Sequence, residues 1–257
     1  MNKIDPDIRN KIIITDKINT NYLVGYSNIE LAAIYSKNEN NFNILKSLLE
    51  YNKDITKINK ILRKTAQHLN TTASYDAFKL LLDYGADINH KKYTDITILM
   101  ISCMNVHETN IEIINFLIDN GSDVNIKSDS GVSALSLLIN FSSTNEHLEI
   151  IKLLIKKGGH VNSKDKNFQT PLMKRILSYN SIINLNYLID ISLDIIKLLL
   201  DNSADVYIKD KNHKNIFDIV KDTFGENSAF YSLIFNYKNL VGDHFCDFDV
   251  YFIYQNL

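Results

Sequence analysis

The sequence predicts an all-α repeat solenoid, a stack of helix pairs joined by short hairpins, and three observations predict it. An apolar helical run that ends in a turn residue and an Asp-(Ile/Val)-Asn extension returns several times along the chain. A Ser, Thr or Asn that opens another apolar run follows each turn at a nearly constant distance. The runs before the turns carry apolar residues at i, i+1, i+4 and i+5, a stripe that one helix pair cannot bury alone and that stacked neighbours can.

The first phrase reads Leu80-Leu-Leu-Asp-Tyr-Gly-Ala-Asp-Ile-Asn89, Leu117-Ile-Asp-Asn-Gly-Ser-Asp-Val-Asn125, Leu154-Ile-Lys-Lys-Gly-Gly-His-Val-Asn162 and Leu199-Leu-Asp-Asn-Ser-Ala-Asp-Val-Tyr207, with a fainter copy from Leu48 to Thr56. Its turn residues are Asn52, Gly85, Gly121, Gly158 and Ser203, spaced by 33, 36, 37 and 45. Gly or Asn suits a helix end where the chain must turn left-handed. The second phrase opens at Ser27, Thr65, Thr97, Ser133 and Thr170, each an N-cap signal, with Pro171 at the first helical position. The interval from turn to cap is twelve residues from Gly85, Gly121, Gly158 and Ser203, and thirteen from Asn52. Variation in repeat length therefore falls between the two helices of a pair. Thr109-Asn-Ile-Glu112 has the form of a capping box opening a second helix.

A helix opening Thr-Pro-Leu, a second helix reading Ile-Ile-Lys-Leu-Leu, and then Gly-Ala-Asp-Ile-Asn together resemble the ankyrin repeat, over roughly residues 15–236. The resemblance implies the ankyrin fold and binding of another protein without catalysis. It assigns His68 as the framework histidine of the family, a place held elsewhere by Glu30, Met100, Ser136, Met173 and Asp218. Polar runs at Ser36–Asn41, Asn105–Asn110 and Ser142–His147 read as long loops, similar in style to ankyrin proteins of large DNA viruses.

In order, residues 1–24 read as an N-terminal half-repeat cap, and 25–57, 58–94, 95–130 and 131–167 as four repeats. Residues 168–212 read as an extended fifth, whose extra stretch from Tyr179 to Asp190 lengthens the first helix and the loop. Residues 213–236 read as a compact C-terminal capping repeat, and 237–257 as an aromatic tail. The tail's Phe245, Phe248, Val250, Phe252 and Ile253 match the apolar last pair. The tail is expected to fold back onto the final helices or to dimerise the protein, so the state is monomer or dimer.

Composition narrows the function. A formal net charge of −2 gives no reason to expect a nucleic-acid partner. Two cysteines make no disulfide framework, no apolar window approaches a membrane span, and the charged N-terminus lacks a secretory h-region. The expected location is the cytoplasm, that of a host if the chain is viral or an effector. The seven histidines are scattered, without His-x-x-x-His or Cys-x-x-Cys spacing. No metal, cofactor or catalytic residue is predicted, and Asp218 and Asp222 read as capping or solvated.

Lys91, Lys127, Lys164 and Lys209 share one register and read as solvent-facing, the alternative being a basic track for an acidic partner. The resemblance places partner contacts on hairpin tips and first helices, where Tyr26, Tyr35, Tyr93, Ile96, Met104, Ile126, Val132, Phe141 and Ile208 fall. Exposed apolar side chains in such a line mark an interaction patch. The expected function is a protein–protein interaction module, a viral or bacterial effector that binds a host protein. The alternative is a ubiquitin-ligase substrate adaptor that uses the C-terminal segment.

Overall fold

The computed structural model describes residues 26–69, 71–91, 95–104, 110–141, 144–180 and 187–241. The N-terminal half-repeat, Tyr93, Thr109 and the tail beyond Val241 lie outside the described residues. Twelve α-helices and no strand are present among the described residues. The chain divides into two compact units, one ending at Asp129 and the next beginning at Ser130.

The first unit holds α1 (Asn28–Ile34), α2 (Glu39–Tyr51), α3 (Ile55–Gln67), α4 (Tyr75–Asp83), α5 (Ile98–Met104) and α6 (Asn110–Asp119). Each consecutive couple is a helix pair. First helices pack on first helices, α1 on α3 and α3 on α5, while α2 packs on α4. The apolar stripes are the core: Leu45, Leu49, Ile58, Ile61, Leu62, Phe78, Leu81, Ile114 and Leu117 are all buried.

Ser27 opens α1 with a complete capping box: its side chain accepts the Glu30 N–H, and Glu30 accepts the Ser27 N–H at 2.8 Å. Glu30 is buried, and its Oε1 lies 3.0 Å from the ammonium groups of both Lys60 and Lys64 on α3. Burial works against the charged carboxylate, but the Ser27 N–H and the two lysines outweigh it and hold the pKa at about 2. A pKa depressed in the folded state stabilises fully above the unfolded value and loses that contribution as pH falls through the folded one. Glu30→Gln should therefore cost about 2 kcal/mol at neutral pH, after discounting for the exposed Lys60. The deficit relative to wild type should shrink between pH 4.5 and about 2 in urea titrations. A deficit independent of pH would show that the pair does not hold α1 to α3.

The junction of the first two pairs departs from the repeat pattern. Asp54, which stands in register with the aspartates of later turns, is instead the N-cap of α3 and accepts from Thr56 and Lys57 N–H. Only Asn52, Lys53 and Asp54 separate α2 from α3, so no hairpin forms there. Thr65, expected as a cap, lies in the last turn of α3, where its hydroxyl donates to the Ile61 carbonyl. His68 follows as the C-cap, its N–H bonded to the Thr65 carbonyl, so it ends a helix and does not stand in the opening turn expected of the framework histidine. The thirteen-residue interval from Asn52 misled because Thr in the last turn of a helix can satisfy its hydroxyl on the preceding turn.

The second unit holds α7 (Ala134–Phe141), α8 (Asn145–Lys156), α9 (Pro171–Asn180), α10 (Tyr187–Asp201), α11 (Ile216–Phe224) and α12 (Ala229–Val241). Here α7, α9 and α11 form one packed row, and α8, α10 and α12 the other. Ile150, Ile151, Leu154, Ile195, Ile196, Leu199 and Ile234 fill the space between. Ser133 and Thr170 cap as expected, accepting from the N–H of Ser136 and Met173 at 3.3 Å each. Asn215 closes a capping box with Asp218, and Asp222 pairs with Lys214.

Three lengths differ from expectation. Asn38 caps α2 from outside, so Glu39–Asn41 is helix, and buried Asn41 turns back to donate to the Tyr35 carbonyl at 3.0 Å. Tyr187–Asp190 belongs to the start of α10, so the extended repeat lengthens its second helix as well. The last helix continues past 236 to Val241.

Candidate functional site

The hairpins that join one helix pair to the next are built by a repeated set of side chains. Asp87, Asp123 and Asp205 each accept the N–H two residues on, at 2.8 Å in all three. Their own N–H groups go to asparagines: Asp123 to Asn89 and Asp205 to Asn162, each in the preceding hairpin, and Asp87 to Asn59 on α3 of its own repeat. Asn89 and Asn162 also donate to the carbonyls of Gly121 and Ser203. Asn89 and Asn162 thus each tie a turn to the one before it within its unit, which fixes the repeat register. Arg63 of α3 adds a brace, donating to the carbonyls of His90 and Ile96 at 3.1 and 2.8 Å on either side of the hairpin tip.

At the tips of the second unit, Asp165 and Asp210 are buried and turned inward. Asp165 accepts from Asn167 and Gln169 N–H, and Asp210 from Asn212 and Lys214 N–H. Burial opposes the charge on Asp165, but Lys174 at 2.7 Å and the two N–H groups hold its pKa below the ordinary value. Neighbouring tips are bonded through the backbone, Lys166 N–H to the Ser130 carbonyl and Lys211 N–H to the Asn167 carbonyl, each at 3.0 Å. The tips therefore form a braced row rather than independent loops.

One position in each tip is left-handed: Asp95, Gly131, Phe168 and His213, with φ of 60°, 78°, 59° and 61°. Gly131 fits because a Cβ there would lie 2.9–3.0 Å from backbone atoms of Asp165 and Lys166. Phe168 is the unexpected occupant. A bulky side chain in this conformation costs on the order of 1 kcal/mol, yet its ring is 51% exposed and gains no core packing. The Lys211 ammonium lies 6.0 Å from its centroid. Tyr207, 58% exposed on the stem of the next hairpin, has the Lys238 ammonium at 6.0 Å.

The sequence-predicted contact residues divide. Met104 is 43% exposed, and Tyr26, Ile96, Ile126, Val132 and Ile208 are half-buried. The ring of Tyr26 is covered by the Lys64 ammonium, 3.6 Å from its centroid. Tyr35 is only 3% exposed and forms part of the core, because it closes α1 where that helix packs on α2 and α3. It is no surface contact. Tyr93 and the side chain of Phe141 lie outside the described residues. Phe168 and Tyr207 are absent from the predicted set. The register would have found Phe168, which stands two residues before its cap just as Gly131 does.

Lys91 donates to the Lys127 carbonyl at 2.6 Å, so this lysine of the register braces the next hairpin. Among the described residues no group of three or more His, Cys, Asp and Glu is placed to hold a metal. The buried Cys103 thiol is pushed up to about 12 by its surroundings, which leaves it un-ionised at neutral pH. No helix among the described residues is long and apolar enough to cross a membrane.

Paired helices in two packed rows with asparagine-braced turns define an ankyrin-type all-α repeat solenoid. The family model for ankyrin repeats matches residues 30–128 and 109–210, and the chain belongs to that family. Ankyrin repeats are protein–protein interaction modules. A comparison with curated proteins found no match.

Proposed function

We propose that the protein binds another protein through its hairpin tips and the adjoining first helices, with the principal contacts in the second unit. The observation that carries this reading is Phe168: a strained, exposed aromatic on a braced row, with the Lys211 ammonium 6.0 Å from its ring and no core packing to stabilise it. Exposed aromatics on a rigid frame are the usual anchors of protein interfaces. Val132 and Ile208 supply apolar surface in the second unit, and Ile96, Met104 and Ile126 supply it in the first. The partner of this proposal is a host protein and the chain an effector, a reading that rests on the family likeness in style. The ligase-adaptor alternative rests on residues beyond Val241, and no observation among the described residues favours it.

The test is affinity capture from host lysate with the full chain, its Phe168→Ala variant and its Tyr207→Ala variant. A single stoichiometric partner whose affinity falls roughly 30-fold, the size of a hot-spot truncation, is the expected result. Capture of ligase subunits would favour the adaptor. Capture indifferent to both substitutions would sink the hairpin reading.

A further inference from the structure

We propose that Asn120 is a self-modifying residue: the Asn120–Gly121 link converts to isoaspartate when the end of α6 opens, and the product cuts the brace between two hairpins of the first unit. The proposal stands apart from the binding reading. It gives the first unit a change of state that needs only water.

Asn120–Gly121 is the one Asn-Gly pair in the chain. Asparagine is among the thermally labile residues, and the chemistry here is intramolecular. The Gly121 nitrogen, once deprotonated, attacks Asn120 Cγ. The Cγ–Nδ2 bond breaks, and ammonia leaves with the proton that the nitrogen gave up. Water then opens the cyclic imide. Breaking the bond from Gly121 N to Cγ yields aspartate, and breaking the bond from Gly121 N to the Asn120 carbonyl carbon yields isoaspartate. In isoaspartate the main chain runs through Cβ and Cγ and is one carbon longer. Glycine favours the attack because it has no Cβ to obstruct a close backbone approach.

Both reacting groups are tied down in the folded chain. Asn120 Nδ2, the leaving group, donates to the Phe116 carbonyl at 2.7 Å. The Gly121 N–H, the nucleophile, donates to the Ile118 carbonyl at 3.0 Å, and the Ser122 N–H closes the helix end on the Leu117 carbonyl at 3.0 Å. Reaction therefore requires release of the last turn of α6, a local opening of the kind that costs less than global unfolding. The second unit holds a matched control. Asn202, directly after α10, donates through Nδ2 to the Leu198 carbonyl at 2.8 Å, and the Ser203 N–H bonds to the Leu200 carbonyl at 2.9 Å. The restraint is the same, but the attacking nitrogen there belongs to serine, whose Cβ crowds the approach.

The modified residue sits where the register is held. The Gly121 carbonyl accepts from Asn89 Nδ2 at 3.0 Å, while Asn89 Oδ1 accepts from the Asp123 N–H at 2.9 Å. One side chain thus clasps two points of the next turn. An extra main-chain carbon at position 120 shifts the Gly121 carbonyl away from the helix that positions it and opens the clasp. Both products also replace the amide donor with a carboxylate at a helix C-terminus, where negative charge is unfavourable.

Peptide mapping of the full-length protein by mass spectrometry, during incubation in mildly alkaline buffer, follows conversion at Asn120 and Asn202 side by side. A protease that cuts at aspartate but not at isoaspartate separates the products. Conversion at Asn120 should be roughly ten-fold or more slower in the native protein than in denaturing urea, because it follows the open population. It should outrun Asn202 in urea, and Gly121→Ala should bring it down towards the Asn202 rate there. Asn89→Ala removes the clasp that holds Gly121 from outside. It should speed native conversion at Asn120 roughly three- to ten-fold, the effect of losing hydrogen bonds of ordinary net strength, and leave Asn202 unchanged. Hydrogen exchange of the isoaspartate fraction should show the Asp123 N–H unprotected, while the Asp205 N–H, held in the same way by Asn162, stays protected.

Native conversion as fast as that in urea would overturn the restraint at the end of α6. An Asn89→Ala variant that folds and converts at the wild-type rate would overturn the coupling to the clasp. An isoaspartate fraction that keeps wild-type protection at Asp123 would show that the register survives modification, and the proposal would fall. If Asn89→Ala unfolds the first unit, the urea comparison and the exchange of the modified wild-type chain decide the matter.

Discussion

Gly131→Val is expected to destabilise the second unit by about 2–5 kcal/mol. Two costs add. At φ +78° a β-branched residue is held in a conformation it resists, worth about 1–2 kcal/mol. Its Cβ would also fall 2.9 Å from the Asp165 Cα and 3.0 Å from the Lys166 nitrogen, atoms of the next hairpin's backbone. Neither is the yielding end of a side chain, and forced overpacking costs a further 1–3 kcal/mol or so. The shift would also strain the Lys166–Ser130 backbone bond that joins the two tips. Gly85→Ala is the matched control. Its φ is +90°, but nothing lies within 4 Å of the added Cβ, so only the conformational cost applies. Urea unfolding of both variants separates the terms, and equal losses would mean the tips are not packed as described.

Leu154→Ala is expected to cost about 2–5 kcal/mol, the range for truncating a buried leucine. Leu154 is fully buried on α8, a helix that packs against α7 on one side and α10 on the other. The cavity would therefore open between two repeats, and the unit could not close it without breaking a row. Lys152→Ala, two residues away on the exposed face, should change stability by no more than about 0.5 kcal/mol, because its contact with Glu149 is an exposed ion pair. Denaturation curves in which the two variants coincide would show that the core has been misassigned.

Much of this architecture was legible because two independent periodicities agreed. The i, i+4 apolar stripe located the second helices, and the Ser/Thr caps located the first helices of every pair except the second and the last, whose cap is Asn215. Burial of Ile150, Ile151 and Leu154 and the cap bonds of Ser133 and Thr170 follow from those patterns. The failures share a physical cause. Thr65 and Asp54 exchanged expected roles because Asp and Thr each satisfy backbone groups in more than one setting, as caps, in turns or on the preceding helical turn. Tyr35 was placed at the surface by register, but burial of a helix-terminal ring depends on neighbours that pattern alone does not position. Phe168 was absent from the predicted set because its register marks a left-handed turn position but does not give the exposure of its ring.

The three-residue junction at Asn52–Asp54 bears on how such a protein is lengthened. Growth by internal duplication requires a segment whose two edges match, so that the copy meets the original as its neighbour did. A block starting at Ile55 fails this condition, because its leading edge has no hairpin for a preceding turn to dock on. The block 131–167 meets it: it begins at the glycine shaped to receive an incoming backbone and ends just short of the next left-handed tip. For anyone building a longer version of this chain, that block is the modular part, and the first two helix pairs are a fixed starting piece.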